Sequence, residues 1–277
     1  MKIPRHNLAI RFTHWVTALS IFILIFTGFG QMPVYKRYFV DQLPGLAWSS
    51  NYSVTLQLHY WAAIILIFIS VYYLTYVIIT KEWDIFPRKG DLRESMQIFA
   101  ALIGLAEEPE SDKYLAEQRM AFAVTAMSIL ALITTGIIKV YKNLPGNDVS
   151  PALIFWTAQV HNLFTVVLLL SIIFHVAAFI IKANRPLLPS MFTGEISGEY
   201  IKSRHSIWWE KLQARQKGPR ELLLDSDKAE PVDCLGLEHE EVPAARACAE
   251  PDRGDRYPLV GCRDHRIIDG RAGSRLA

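Results

Sequence analysis

The chain has 277 residues, 51% of them hydrophobic, and a formal net charge of +2. The apolar residues are bunched: no charged residue interrupts Phe12–Tyr35, Gln42–Thr80, Met120–Ile138 or Val149–Ile181. About 20 mostly apolar residues cross the ~30 Å hydrocarbon layer as a helix, and lipid leaves a helical backbone no other hydrogen-bond partner. Composition therefore excludes a water-soluble fold and predicts an all-α membrane protein. Its three cysteines, Cys234, Cys248 and Cys262, all follow the apolar stretches. That excludes disulfide stapling and cysteine-ligated clusters within the membrane domain.

In chain order, the first span covers about 12–30. Lys2, Arg5 and Arg11 precede it as in a secretory signal, but no small-x-small cleavage site follows, so a retained helix is expected. After Pro33, Pro44 and Gly45, a second span covers about 53–79. In the next connection, residues 91–106 place Leu92, Met96, Phe99 and Ile103 on one stripe, which predicts an interfacial helix. A third span covers about 118–138, Pro145-Gly146 turns the chain, and a fourth covers about 152–181. Residues 1–217 are read as the membrane domain. Residues 218–277, rich in Pro, Gly, Asp, Glu and Arg without a helical apolar period, are read as a disordered tail. The tail's cysteines, with His239 and His265, match no common zinc spacing.

Sixteen basic residues flank the spans on the side of the N-terminus, the 81–119 connection and the segment after the fourth span, against four on the other side. Both termini are therefore expected in the cytoplasm. A faint repeat relates the spans: Ala18-x-Ser20-Ile21-x-x-Leu24-Ile25-x-Thr27-Gly28 returns as Ala126-x-Ser128-Ile129-x-x-Leu132-Ile133-x-Thr135-Gly136, and Gln57-Leu58-His59 as Gln159-Val160-His161. Two related hairpins follow. The repeat breaks where Phe122 replaces His14 and Tyr73 replaces His175.

His14, His59, His161 and His175 lie inside spans, where titratable side chains are rare and functional. His161 and His175 share a face of one helix about 21 Å apart in depth. His59 matches His161 in depth, and His14 matches His175. Two imidazoles from different helices at each of two levels is the pattern of bis-histidine axial ligation of two b-type haems. Gly28 and Gly136 either admit a flat porphyrin or simply pack helices. Arg11, Arg119 and Lys139 are within reach of haem propionates, although solvated flanking charges are the commoner role. Trp48, Tyr52, Trp83, Tyr141 and Trp156 are read as interfacial anchors.

Several motifs carry a family resemblance over residues 5–215: Arg11-Phe12-Thr13-His14-Trp15 with Thr27-Gly28, His59, the His161/His175 pair, Met191-Phe192-Thr193-Gly194 and His205-Ser206-Ile207-Trp208-Trp209. With them the chain resembles the cytochrome b (gamma) subunit of respiratory formate dehydrogenases, within the di-haem cytochromes b of hydrogenases and thiosulfate reductases. The resemblance implies a non-catalytic anchor and electron carrier in the bacterial inner membrane. It implies an iron–sulfur partner, a molybdenum- or tungsten-containing catalytic subunit, and reduction of menaquinone or ubiquinone. His14 with His175 would hold the cytoplasmic haem, and His59 with His161 the periplasmic one. The family's Tyr-Asn-Ala-Gly-Gln-Lys motif near the quinone reads Tyr114-Leu115-Ala116-Glu117-Gln118-Arg119 here. Tyr114, Gln118 and, at inner-face depth, Gln97 are the candidate quinone contacts. A hydrogenase or thiosulfate/polysulfide reductase subunit, and a haem-free transporter or proton channel, stand as alternatives. No nucleic-acid partner is expected.

Overall fold

The computed structural model describes residues 1–215; the expected tail, 218–277, with its cysteines, lies outside the described residues. The elements run β1 (Lys2–Pro4), α1 (Leu8–Gly30), α2 (Pro33–Arg37), α3 (Tyr52–Thr80), α4 (Asp91–Leu102), α5 (Ala116–Tyr141), α6 (Pro151–Ala177), α7 (Ser190–Thr193), β2 (Glu195–Ser197) and α8 (Gly198–Arg204). A further helix, α9, covers 206–215.

Each long helix begins where a side chain replaces a missing backbone partner. Asn7 Oδ1 accepts from the Ile10 amide at 2.9 Å. Asn51 Oδ1 accepts from Ser53 at 3.1 Å and Val54 at 3.4 Å. Ser150 Oγ accepts from Leu153 at 3.3 Å, with Pro151 opening α6. At α5, Gln118 Oε1 reaches back to the Leu115 amide at 3.3 Å. Four helices (α1, α3, α5 and, with its 3-10 extension, Pro151–Ile180) are long and apolar enough to span a bilayer, as expected. Their most apolar windows are no more than 22% buried, so most of that apolar surface faces outward, as lipid contact requires.

The spans pack as two hairpins, α1 with α3 and α5 with α6. Ile21, Leu66, Ile69 and Leu168 form a shared core with Val16, Ile129 and Leu132, drawing on all four helices. One end of the bundle is capped. There β1 pairs antiparallel with β2, Ile3 opposite Ile196, over a core of Ile3, Leu187, Ile196, Ile201 and Trp208. This small sheet is a correction to the all-α expectation. It forms because Gly194, at φ +83°, accepts the Arg5 and His6 amides at 2.8 and 3.1 Å and so brings the N-terminal segment alongside. A side chain there would be 2.6 Å from the His6 carbonyl oxygen.

The 91–106 helix ends earlier than expected, at Leu102. Its apolar stripe points outward: Leu92, Met96, Phe99 and Ile103 are exposed, while Asp91, Ser95 and Ile98 are buried. That inversion of the soluble pattern suits a helix lying in a membrane interface. Its inner face is bound to α5 by Asp91 and Arg119, with Nε–Oδ2 2.8 Å and Nη2–Oδ1 2.5 Å. Arg119 is therefore no solvated flanking charge; it is 5% exposed and committed to Asp91, whose carboxyl it holds below the ordinary range.

Candidate functional site

At the capped end, His14 of α1 and His175 of α6 face each other with ring centroids 6.3 Å apart. Two imidazoles sharing one metal ion stand roughly 6 Å apart, two bonds of about 2 Å plus the ring radius at each end. The observed spacing is what a single iron between them needs. Nδ1 of His14 is buried without a hydrogen-bond partner among the described residues. The motifs after α6 build the wall of this level. Trp15 Nε1 donates to the Met191 carbonyl at 3.1 Å, Trp15 stacks near Phe192 at 4.8 Å, and Arg11 donates to the Phe192 carbonyl. Phe179 meets His175 edge-on at 5.9 Å.

Toward the opposite end, His59 and His161 are each held by a threonine of the partner helix in their own hairpin. His59 Nδ1 lies 2.9 Å from Thr27 Oγ1, and His161 Nδ1 lies 2.8 Å from Thr135 Oγ1. Each hydroxyl already donates its single proton to a carbonyl one turn back, Ile23 or Ala131, at 2.7 Å. The hydroxyl oxygen must therefore accept, so Nδ1 carries the hydrogen and Nε2 keeps its lone pair. A metal-ligating histidine is oriented in this way. A Cβ on Gly28 would stand 3.8 Å from His59 Cε1, and one on Gly136 4.0 Å from His161 Cε1. The imidazoles themselves would tolerate alanine at either position; the glycines leave room beside each ring for a flat group. The donor set, its fixed tautomers and these open faces fit haem. Thr27 and Thr135 stood in the sequence repeat, but their hydrogen bonds were not anticipated from it.

The quinone candidates separate. Tyr114 and Gln118 come together through Arg5, whose guanidinium lies 5.4 Å from the Tyr114 ring centre and 3.5 Å from Gln118 Oε1. Burial pushes the Tyr114 phenol up. Its side chain lines a small pocket with Tyr73, Tyr76, Glu82 and Lys113. Gln97 is exposed on α4 and donates to the Glu107 carbonyl at 3.2 Å; no hydrogen bond joins it to the other two among the described residues. His205, in the sequence only the first residue of a family motif, is fully buried. Its Nδ1 lies 2.6 Å from the Asp112 carbonyl and its Nε2 3.5 Å from Arg5 Nη1. Burial, then the Arg5 charge, lowers its pKa to about 4. The His205–Trp209 motif is thereby explained as the lock on Arg5, with Trp208 5.7 Å beneath the guanidinium.

The chain is also similar to known proteins. Residues 5–194 match the family model described as prokaryotic cytochrome b561. The chain is 24% identical, over 215 residues covering 75% of it and 82% of the relative, to the formate dehydrogenase cytochrome b556 subunit of Haemophilus influenzae. Four spanning helices with ordered intramembrane histidines, and a family match over most of the described residues, lead to one conclusion: the chain belongs to the prokaryotic cytochrome b561 family, as a multi-pass inner-membrane electron-transfer cytochrome that binds haem b.

Proposed function

We propose that the protein is the membrane anchor and electron-transfer subunit of a respiratory formate dehydrogenase complex, non-catalytic alone. His14 with His175, and His59 with His161, hold one haem b each. The haems supply reversible one-electron chemistry at two depths. The chain's own residues fix the potentials and the path: Thr27 and Thr135 orient the outer imidazoles, while Arg11, Trp15 and Phe192 wall the inner level. The single observation that carries the reading is the 6.3 Å His14–His175 spacing at one level, with the threonine-held His59 and His161 toward the other end.

The excess of basic residues at the capped end supports a cytoplasmic location for that end and for both termini. An iron–sulfur subunit delivers electrons at the opposite, periplasmic end, and a molybdenum or tungsten subunit oxidises formate; the formate dehydrogenase subunit among the relatives supports this choice of partner. Menaquinone or ubiquinone is reduced near the inner level, where Tyr114 and Gln118 offer polar groups.

Ligand loss by pairs tests the proposal. His14→Ala and His175→Ala should each remove the same spectral component of the reduced protein, and His59→Ala and His161→Ala the other. One component lost in common by His14→Ala and His59→Ala sinks the pairing. Identification of the co-purifying subunits tests the partners.

A further inference from the structure

The outer level is built twice over. An offset of 108 maps Thr27 and Gly28 of α1 onto Thr135 and Gly136 of α5, and an offset of 102 maps His59 of α3 onto His161 of α6. The structure keeps these matches, with threonine–imidazole contacts of 2.9 and 2.8 Å. Continued one turn further from the capped end, the first offset maps Gln31 onto Lys139. Each lies three residues beyond its glycine and four beyond its threonine, on the helix face that holds the histidine.

The chain satisfies neither residue. Gln31 Nε2 is buried without a hydrogen-bond partner among the described residues. Lys139 is half-buried, and among the described residues the charge acting on it is that of Lys142, not a carboxylate. Its own charge reaches both His59 and His161. A buried N–H without an acceptor and a partly desolvated ammonium without an anion both cost stability. This level therefore presents two donors whose acceptors the described residues do not supply.

Haem b carries two carboxylates on one edge of its ring. We propose that Lys139 and Gln31 hold the propionates of the outer haem, Lys139 by an ion pair and Gln31 by a hydrogen bond, so that the carboxylate edge points away from the capped end. The inference rests on the reading that His59 and His161 hold haem, and adds what fixes that group in rotation about the axis between them. Gly28 and Gly136 leave a face open for the ring, and the two donors select which edge lies outermost. An ammonium beside the ring also favours the reduced haem, whose net charge is one unit more negative, and so raises the outer potential. A lysine near a helix end also reaches lipid phosphates, an anion from another source that the test separates.

Complexes carrying Lys139→Gln, Lys139→Arg or Gln31→Leu are compared with wild type in two ways. Resonance Raman spectroscopy reads the propionate-bending bands, which follow hydrogen bonding to each carboxylate, and optical redox titration reads the potentials. The outer component is the one absent from the His59→Ala complex. Lys139→Gln should shift one propionate band and lower the outer midpoint potential while the inner one stays in place; Lys139→Arg should restore both. Gln31→Leu removes no charge, so it should shift the other band and move the potential less. Where Lys139→Gln loses the outer haem, the Gln31→Leu band decides. Propionate bands unmoved in every variant that keeps its haems overturn the proposal and leave lipid phosphate as the partner of Lys139. An equal shift of both potentials overturns it too. A wild-type complex with no component sensitive to His59→Ala fails the His59–His161 assignment instead.

Discussion

Single side chains decide how the histidines are presented. Thr27 and Thr135 each spend their proton on the backbone and offer the oxygen to an imidazole. Thr27→Val keeps the shape and removes the acceptor. Loss of such an outer contact costs about 10–100-fold in metal affinity, so haem titration should show that weakening at the His59 level and none at the His14 level. His205 makes a second residue-scale prediction. Its pKa of about 4 in the folded protein lies below the unfolded value, so the unfolded chain binds more protons between those values. Stability is then fully present above the unfolded pKa and lost as pH falls toward 4. The loss is about 3 kcal/mol, and His6, lowered to about 3 by burial and then Arg5, acts in the same direction. Melting of wild type against His205→Gln from pH 7 to pH 4 should show the variant losing less over that window; equal slopes would remove His205 from the account.

At the scale of elements, the capped end is assembled from pieces that carry little structure alone. A three-residue strand, a one-turn helix and α4 are each too short to persist in isolation. They hold because buried and half-buried polar links join them: Arg5 to the Lys113 carbonyl at 2.9 Å, Arg119 to Asp91 and to the Tyr114 carbonyl at 2.6 Å, and the half-exposed Lys211 to Asp112 at 2.6 Å. Removing one partner of a buried pair costs about 3–5 kcal/mol because the other charge stays buried. Asp91→Ala should therefore lower the melting temperature of the detergent-solubilised protein and release α4 to protease. Resistance equal to wild type would show that lipid contact of Leu92, Met96 and Phe99 holds the helix unaided. Helix boundaries were legible within a few residues because the apolar runs have a physical length to meet. The cap was not legible, since the contacts that close it, Arg5 with Lys113 and His205, Ile3 with Ile196 and Lys211 with Asp112, join residues about 100 to 200 positions apart with no periodic pattern.

At the scale of the molecule, the two levels of histidines lie about 21 Å apart along α6, across most of the hydrocarbon layer. If electrons enter at the outer level and quinone takes protons at the inner, turnover separates charge. Moving one charge through 100 mV costs about 2.3 kcal/mol, so turnover should slow against a negative-inside potential. Proteoliposomes of the complex with formate outside should build that potential, and an uncoupler should speed the rate. A rate indifferent to uncoupler would place donor and quinone on one side. Sequence alone determined the four spans, their hairpin order and the four histidines, because crossing a bilayer forces long apolar helices and makes each buried imidazole conspicuous against them. Only the tertiary structure decided what those histidines touch. Which threonine fixes a tautomer, why Gly194 must turn beside His6, and that Tyr73 meets Phe122 are matters of distance between separate elements. A linear pattern records the face of one helix, not which neighbour that face will find.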